Sequence, residues 1–542
     1  MSQISSIESL VVEKKKISEI LGPWIETLRI PVVQREFEWD EKKIKLFIDS
    51  IVNSYPVGTI ILLETYEELP YAKVVGKDEN QDSEGPFRYV IDGQQRLLSL
   101  ILLSNSWKIT RGGELIETEP ISFNPSSREF RIGESIGIPV SLLFNASRGK
   151  VSALKDLSAN YKDYEEPLES IGSKISNYEL PIYTLRSKRG EPIDPEAISD
   201  IFTRINTSGE KLGNLEIFLS FFASAFPSLK ELILDRYKKL NGVFEDEYPT
   251  WEVCIRTVFG NLGKGQSRIT KKNSFKNTIR EIKDEYGSKG PELEKIINKT
   301  FDIIRTGLDL IKGELGISHR RFMPSQTVMI PVYKWMFVNS EIKLDEISGE
   351  DDKKRILKWF LIASVNNYYS SRTEKKLDKS LDSINKGKHF PLEELLEQMA
   401  SFKVQNKVNE EDITTYESTN SSQMLLLSIL YKNGASDWAG HSVNDPNVTK
   451  QHIFPQDTLR KDNWGSEYIN TLSNLTFINR SVNSQIQDLE PKDYLPKYEG
   501  ELRKHIIPLS NEYWEFSQFK AFIDERDKMI KESIKNLMKS LE

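Results

Sequence analysis

Residues 89–100 read YVIDGQQRLLSL. The apolar run FRYVI (87–91) fits a buried strand, Asp92-Gly93 is a turn former, and LLSLILLSNSW (97–107) fits a helix with little exposed surface. Strand, turn and helix in so short a span set a mixed α/β frame. Between them stand Gln94, Gln95 and Arg96, three long polar side chains that cannot serve as core. They fall in the first turn of the helix, where open backbone N–H groups and the positive dipole end favour an anion. An arginine there adds a donor fork suited to phosphate. The plainer alternative has Asp92 capping the helix and Arg96 paired to a surface acid.

Working outward, KKIKLFIDSIVNSY (42–55) has helical periodicity, GTIILLE (58–64) reads as a buried strand, and KISNYELPIYTLR (174–186) as a final strand. PEAISDIFTRIN (195–206) opens a helix, and the pattern stays helical from about 215 to 430. The polar stretch KVQNKVNEEDITTYES (403–418) is the best linker candidate. A helix at 423–431, a strand around His452, a second strand LTFINR and a helix from about 515 follow. The expectation is an α+β multidomain protein with an α/β domain over 1–225, a largely helical middle region over 226–410 and a C-terminal helical domain over 411–542.

The chain has 542 residues and a net charge of −7, so no global positive field draws it to nucleic acid and any such binding needs a local patch. Cys254 is the single cysteine, which excludes internal disulfides and zinc sites built on two or more thiolates. The start, MSQISSIESLVVEKKK, lacks the apolar core of a signal peptide, and no apolar run approaches the roughly 20 residues that span a bilayer. A soluble, cytoplasmic protein is expected. Between Arg256 and Lys283 lie eight basic residues and one acid, Glu281. Lys264, Arg268, Lys271, Lys272 and Lys276, interleaved with glycines and hydroxyls, read as a loop touching DNA phosphates.

Two further polar clusters flank the turn at Asp92. IPVVQREFEWD (30–40) holds Gln34, Arg35, Phe37 and Trp39, and IFTRINTSGEKLGNLEI (201–217) holds Arg204 and Asn206. In this order the three segments resemble the N-terminal domain of the GmrSD-like type IV, modification-dependent restriction proteins, over roughly residues 10–225. The resemblance implies a ParB-like domain that binds and hydrolyses an NTP, GTP ahead of ATP, and gates DNA cleavage. Carried residue by residue, it points to Gln34, Arg35, Asp92, Gly93, Gln94, Gln95, Arg96, Arg204 and Asn206 around the nucleotide, with Asp92, Gln95 and Arg96 as catalytic candidates. Leu98 stands where the family has a threonine. No G-x-x-x-x-G-K-[ST] occurs, so a P-loop is excluded.

Near the other end, TKQHIFPQDTL (449–459) holds His452, one of five histidines, and INTLSNLTFINRSVNSQIQD (469–488) holds Asn474 and Asn483. The pattern reads as strand, loop, strand and helix, with Ser481 capping the helix. An imidazole with a pKa of about 6.5 is suited to take a proton from water. An amide oxygen supplies a hard ligand for Mg²⁺ or Mn²⁺, and a second asparagine can hold the imidazole in orientation. The stretch resembles the HNH (ββα-metal) nuclease domain that ends GmrSD-type proteins. The resemblance implies His452 as general base, Asn474 as its orienting residue and Asn483 as a metal ligand. Gln451 stands where the family carries an acidic metal ligand, an exchange that lowers metal affinity. Asp457, Asp462 and Asp488 are nearby acids, and the spacing selects none.

The function expected is an NTP-gated, divalent-metal-dependent endonuclease acting on modified phage or foreign DNA. The alternative is a nucleotide-dependent DNA sensor with an inactive HNH fold. The sequence leaves the choice of modification, the effect of nucleotide and homodimerisation open.

Overall fold

The structure is a computed structural model. It describes the chain except residues 1–6, 32–36, 38, 67–70, 74–84, 112–113, 126, 134–136, 161–164, 190–214, 216–217, 220–221, 223–224, 242–248, 272–273, 288–289, 340–349, 385–388 and 416. Two compact units divide it, Met1–Pro227 and Ser228–Glu542. The boundary expected near 410 therefore falls inside the second unit.

The first unit is mixed α/β. Its strands are β1 (Ile7–Lys16), β2 (Leu28–Pro31), β3 (Ile60–Thr65), β4 (Tyr71–Lys73), β5 (Phe87–Asp92), β6 (Lys108–Arg111), β7 (Glu114–Glu117), β8 (Ile121–Asn124), β9 (Glu129–Ile132), β10 (Ile138–Pro139) and β11 (Glu179–Ser187). Six form one sheet in the order β1-β11-β3-β5-β2-β4. β11 runs parallel to β3 and β2 parallel to β5, while the other pairs are antiparallel. The central strands are apolar on both faces, as a sheet covered by helices requires. The helices Glu41–Val52 and Gln94–Ser104 supply that cover, contributing Ile44, Ile48 and Ile51 from one and Leu97 to Leu103 from the other. The helix expected to open at 195 lies outside the described residues.

The second unit is helical apart from a two-stranded antiparallel ribbon, β12 (Val448–His452) with β13 (Leu475–Asn479). The segment expected as a linker is built into this unit. Its helix Glu410–Thr415 packs on the C-terminal helix Phe519–Ser540, with Lys535 3.4 Å from Glu410. Beyond that helix, Glu417 bridges Thr471. Among the described residues no helix is long and apolar enough to cross a membrane.

Candidate functional sites

In the first unit, β5 ends at Asp92 and the helix Gln94–Ser104 begins two residues later. Gly93 makes the junction. Its φ is +90°, and a Cβ there would lie 3.0 Å from the Thr59 carbonyl oxygen, so only glycine lets the turn close this tightly. The helix is capped by Gly93 and not by the Asp92 side chain. Asp92 instead pairs with Arg96 at 3.4 Å, one helical turn on, and Arg96 also donates to the Thr59 carbonyl at 2.6 Å. A Cβ on Gly58 would meet the guanidinium at 2.8 Å, so the bare glycine backbone gives the arginine its seat. Gln95 Oε1 accepts the backbone N–H of Trp39 at 3.2 Å, and Trp39 stacks edge-on against Phe47. The structure thus joins the Trp39 segment to the Asp92–Arg96 turn. Gln94 is buried. Gln34, Arg35, Arg204 and Asn206 lie outside the described residues.

In the second unit, β12 ends at His452 and the next two residues form an over-determined turn. Ile453 N–H donates to the Asn474 carbonyl at 2.8 Å, and its own carbonyl accepts from Tyr494 Oη at 2.7 Å. Asn474 Oδ1 accepts Phe454 N–H at 2.9 Å, while its Nδ2 donates to the carbonyls of Phe454 at 3.2 Å and Ile469 at 2.9 Å. The Phe454 ring then inserts between Phe516, Phe519 and Phe522. Asn474 is fully buried and spends its amide on this backbone. The expectation that it orients the imidazole is corrected: other residues touch the ring.

Those residues are Gln456 and Asn470. His452 Nε2 lies 2.8 Å from Gln456 Nε2 and 3.1 Å from Asn470 Oδ1, and the two amides meet at 2.8 Å. Asn470 Nδ2 in turn donates to Glu417 Oε1 at 2.8 Å and to Ser466 Oγ at 3.0 Å. Burial is the main cause that lowers the His452 pKa, to about 4. Lys450 and Arg460 push the same way and the Asn470 oxygen opposes them. The ring is therefore neutral at pH 7, the state a proton acceptor needs. Gln456 was in plain view four residues after His452, whereas Asn470 competed with four other asparagines between 463 and 483, and Glu417 sat in a stretch that looked like a linker.

Gln451 pairs with Thr476 across the ribbon and is nearly buried. Successive strand residues face opposite sides, so Gln451 shares the face of Thr476, whose hydroxyl contacts the buried His505, and not the face of His452. The helix Arg480–Ile486 is capped by Asn479, which accepts from Ser481 N–H, and Asn479 also donates to the buried Asp437 at 2.7 Å. Ser481 is thus inside the helix and not its cap. Asn483 is the fourth residue of that helix and half-buried. Among the described residues no group of three or more His, Cys, Asp or Glu is placed to hold a metal ion. Asp457 is exposed and sits 3.6 Å from Arg460.

The basic stretch alternates helices, Trp251–Asn261, Gln266–Thr270 and Phe275–Tyr286, with connections that carry Lys264 and Lys271, and three of its basic residues are held in ion pairs. Arg256 is buried between Glu252 and Glu374, Lys264 lies 3.0 Å from Glu285 and 3.8 Å from Glu281, and Arg268 lies 2.5 Å from Glu281. Lys264 and Arg268 are committed to these pairs, which corrects their reading as phosphate contacts. Lys271 is exposed, Lys272 lies outside the described residues, and the Lys276 side chain is likewise outside them.

The sequence matches two family models. Residues 11–223 match the GmrSD restriction endonuclease N-terminal domain, and residues 403–531 match the GmrSD restriction endonuclease C-terminal domain. The chain belongs to the GmrSD restriction endonuclease family. Both matched regions coincide with the sites described: the first contains Asp92 to Arg96, and the second contains Glu417, His452, Gln456 and Asn470. An uncharacterized protein of Methanocaldococcus jannaschii is similar, at 23% identity over 508 residues that cover 86% of this chain and 83% of the relative. As a member of the GmrSD family the chain is a restriction-type endonuclease acting on DNA.

Proposed function

We propose that this endonuclease cuts DNA at an HNH-type site with His452 as general base, and that nucleotide bound by the first unit gates the cut. The observation that carries the reading is the setting of His452. A neutral imidazole stands at the end of β12, with the following turn pinned on every backbone polar group by Asn474, Tyr494 and the ribbon. A base must hold its position to within a fraction of an ångström, and this turn supplies that rigidity. The chemistry assigned to His452 is removal of a proton from the water that attacks the scissile phosphorus.

A divalent cation, Mg²⁺ or Mn²⁺, belongs to this reading, yet the donors present do not fit a resident ion. Gln451 faces away from His452, Asn483 brings one neutral oxygen, and no acidic cluster joins them among the described residues. Mg²⁺ is ordinarily held by one or two carboxylates together with substrate phosphates.

In the first unit the reading places the nucleotide phosphates at the start of the helix Gln94–Ser104. The helix dipole and the Arg96 guanidinium, seated on Gly58 and aligned by Asp92, would bind them. GTP is favoured over ATP only by the family resemblance. Modified phage or foreign DNA is the proposed substrate on the same ground.

The decisive experiment is cleavage of modified and unmodified plasmid with Mg²⁺ or Mn²⁺, with and without GTP, by the parent and by His452→Ala. Cleavage lost in His452→Ala supports the reading; equal cutting by the variant removes it. Gln451, standing in place of an acidic ligand and facing away from His452, favours a second reading, a nucleotide-dependent DNA sensor with an inactive nuclease fold. That reading expects NTP turnover with no cleavage at any metal concentration.

A further inference from the structure

Outside both sites, the second unit holds a cavity of about 790 Å³ that is open to solvent. Its wall comes from three stretches distant in sequence: the start of the helix Trp251–Asn261, residues 320–327, and Asn420 at the start of the helix Asn420–Lys432. Gln326 decides what the cavity can hold. It is 9% exposed, and its Oε1 accepts the backbone N–H of Thr250 at 2.6 Å. An N–H can meet only the oxygen end of an amide, so the orientation is settled and Nε2 is the remaining end. That Nε2 donates to no atom among the described residues, although Gln326 lines the cavity. Buried donors are rarely left unpaired, so an NH₂ group that opens onto a cavity calls for an acceptor from outside.

The rest of the wall selects the acceptor. Arg320 and Arg321 line the cavity and both are exposed. Arg321 Nη2 donates to the carbonyls of Pro446, at 2.7 Å, and Val448, which fix the guanidinium without cancelling its charge. Thr250 and Ser325 stand at capping positions, yet neither side chain caps, so their hydroxyls are available to a ligand. The acid among the lining residues, Glu252, lies 2.8 Å from Arg256, which offsets its charge. Guanidiniums, an amide NH₂ and hydroxyls are the donor set that takes phosphate oxygens. The same segment grips the chain that enters β12, Arg321 through Pro446 and Val448, and Ser318 Oγ through the Asn444 carbonyl at 2.6 Å. A phosphate held at Arg321 therefore rests on the support that leads to His452, and an open cavity lets a polymer pass across it.

We propose that this cavity binds a backbone phosphate of the DNA, with the Gln326 amide and the Arg320 and Arg321 guanidiniums as donors. The assignment to DNA rests on the endonuclease reading given above, whereas the match to phosphate does not. In the basic stretch Lys264 and Arg268 are spent on Glu281 and Glu285, so the local positive surface that a chain of net charge −7 needs is supplied here instead. A backbone phosphate carries no sequence information, so the cavity positions DNA on the second unit whatever its sequence.

The test is fluorescence anisotropy of a labelled DNA duplex with the full-length protein in EDTA, over a series of salt concentrations. Gln326→Glu keeps the oxygen that Thr250 needs and replaces the NH₂ donor with a negative oxygen, while Arg320→Ala removes one exposed cation from the wall. Each variant is expected to bind DNA roughly 10- to 100-fold more weakly at fixed salt, with the thermal unfolding midpoint of the parent. Arg320→Ala should also lower the slope of log K against log salt by about one. No DNA binding by the parent, or parental affinity and slope in both variants, would overturn the proposal. If both variants bind DNA like the parent but lose a site for GTP or inorganic phosphate seen by calorimetry, the cavity serves a free phosphate ligand and the DNA assignment falls. DNA binding that depends on Gln326 and Arg320, in a protein whose His452→Ala variant cuts like the parent, would leave the cavity standing and remove the nuclease reading instead.

Discussion

Asn474→Ala separates two roles that the sequence alone merges. The side chain makes three hydrogen bonds, all to backbone, at 2.9, 3.2 and 2.9 Å, and none to His452. Each is worth about 1 kcal/mol net, and the partners left behind are buried, with no water to replace the amide. Phe454 and Ile469 are both almost completely excluded from solvent. The loss is therefore about 3–5 kcal/mol, above the simple sum of the bonds because three buried backbone groups lose a partner. At about 1.4 kcal/mol per decade, hydrogen exchange in the segment around Phe454 should speed up by about two to three and a half decades. Peptide-level exchange with mass spectrometry reads this directly, and cleavage should fall with it because the turn that holds His452 loosens. Exchange within about threefold of the parent, together with lost cleavage, would return Asn474 to a direct role on the imidazole.

Other outcomes follow from the same structure. His505 donates to the Ser436 carbonyl and accepts from Thr476, and burial pushes its pKa down to about 4. The unfolded chain takes up that proton near pH 6.5 and the folded chain does not. This histidine is therefore neutral to stability above pH 6.5, costs stability as pH falls from there to about 4, and saturates below; the full effect is about 3 kcal/mol. Urea midpoints against pH should show a slope in the parent that His505→Gln flattens, and an equal slope in both would contradict it. Arg526 is fully buried and gives its hydrogens to four carbonyls, those of Ser473, Leu475, His505 and Ile506. Arg526→Leu strands those carbonyls and should cost about 3–5 kcal/mol in thermal or urea unfolding; a loss under about 1 kcal/mol would mean water replaces the guanidinium. Lys264→Ala should leave the salt dependence of DNA binding unchanged, because its ammonium is held by Glu281 and Glu285; a slope smaller by about one unit would make it a phosphate contact after all. Arg96→Ala should abolish NTP turnover, and parental turnover in the variant would remove the nucleotide site from this turn.

The parts of the fold that were legible were those with strong local signals. β3, β5 and the helix Gln94–Ser104 are apolar runs broken by a glycine turn, and they stand close to where periodicity puts them. The helix expected at 423–431 starts earlier, at Asn420, because Thr419 and Ser422 cap each other reciprocally. β1 was not foreseen. It is an edge strand paired only to β11, with Leu10 and Val12 turned to solvent, so the alternation that marks a half-buried strand is missing. The basic stretch misled because, apart from Glu281 within it, the acids that pair with it lie beyond its window: Glu252 just before it, Glu285 just after it, and Glu374 more than a hundred residues from Arg256. The histidine and the asparagines of the C-terminal site stood out by type and spacing. Which asparagine touches the ring did not, since the three-residue helical turn Leu472–Asn474 moves Asn474 into the core and leaves Asn470 beside His452. A polar segment such as 403–418 looks like a linker until its partners are known. Here they are Thr471 and the C-terminal helix, both distant in sequence.

The most direct measurement of the role of His452 is plasmid cleavage by purified full-length protein beside His452→Ala, with Mg²⁺ or Mn²⁺ and with and without GTP. Nicks or breaks by the parent that disappear in the variant are expected. Cleavage at the same rate by both proteins would contradict that role, as would NTP turnover with no cleavage of modified or unmodified DNA at any metal concentration.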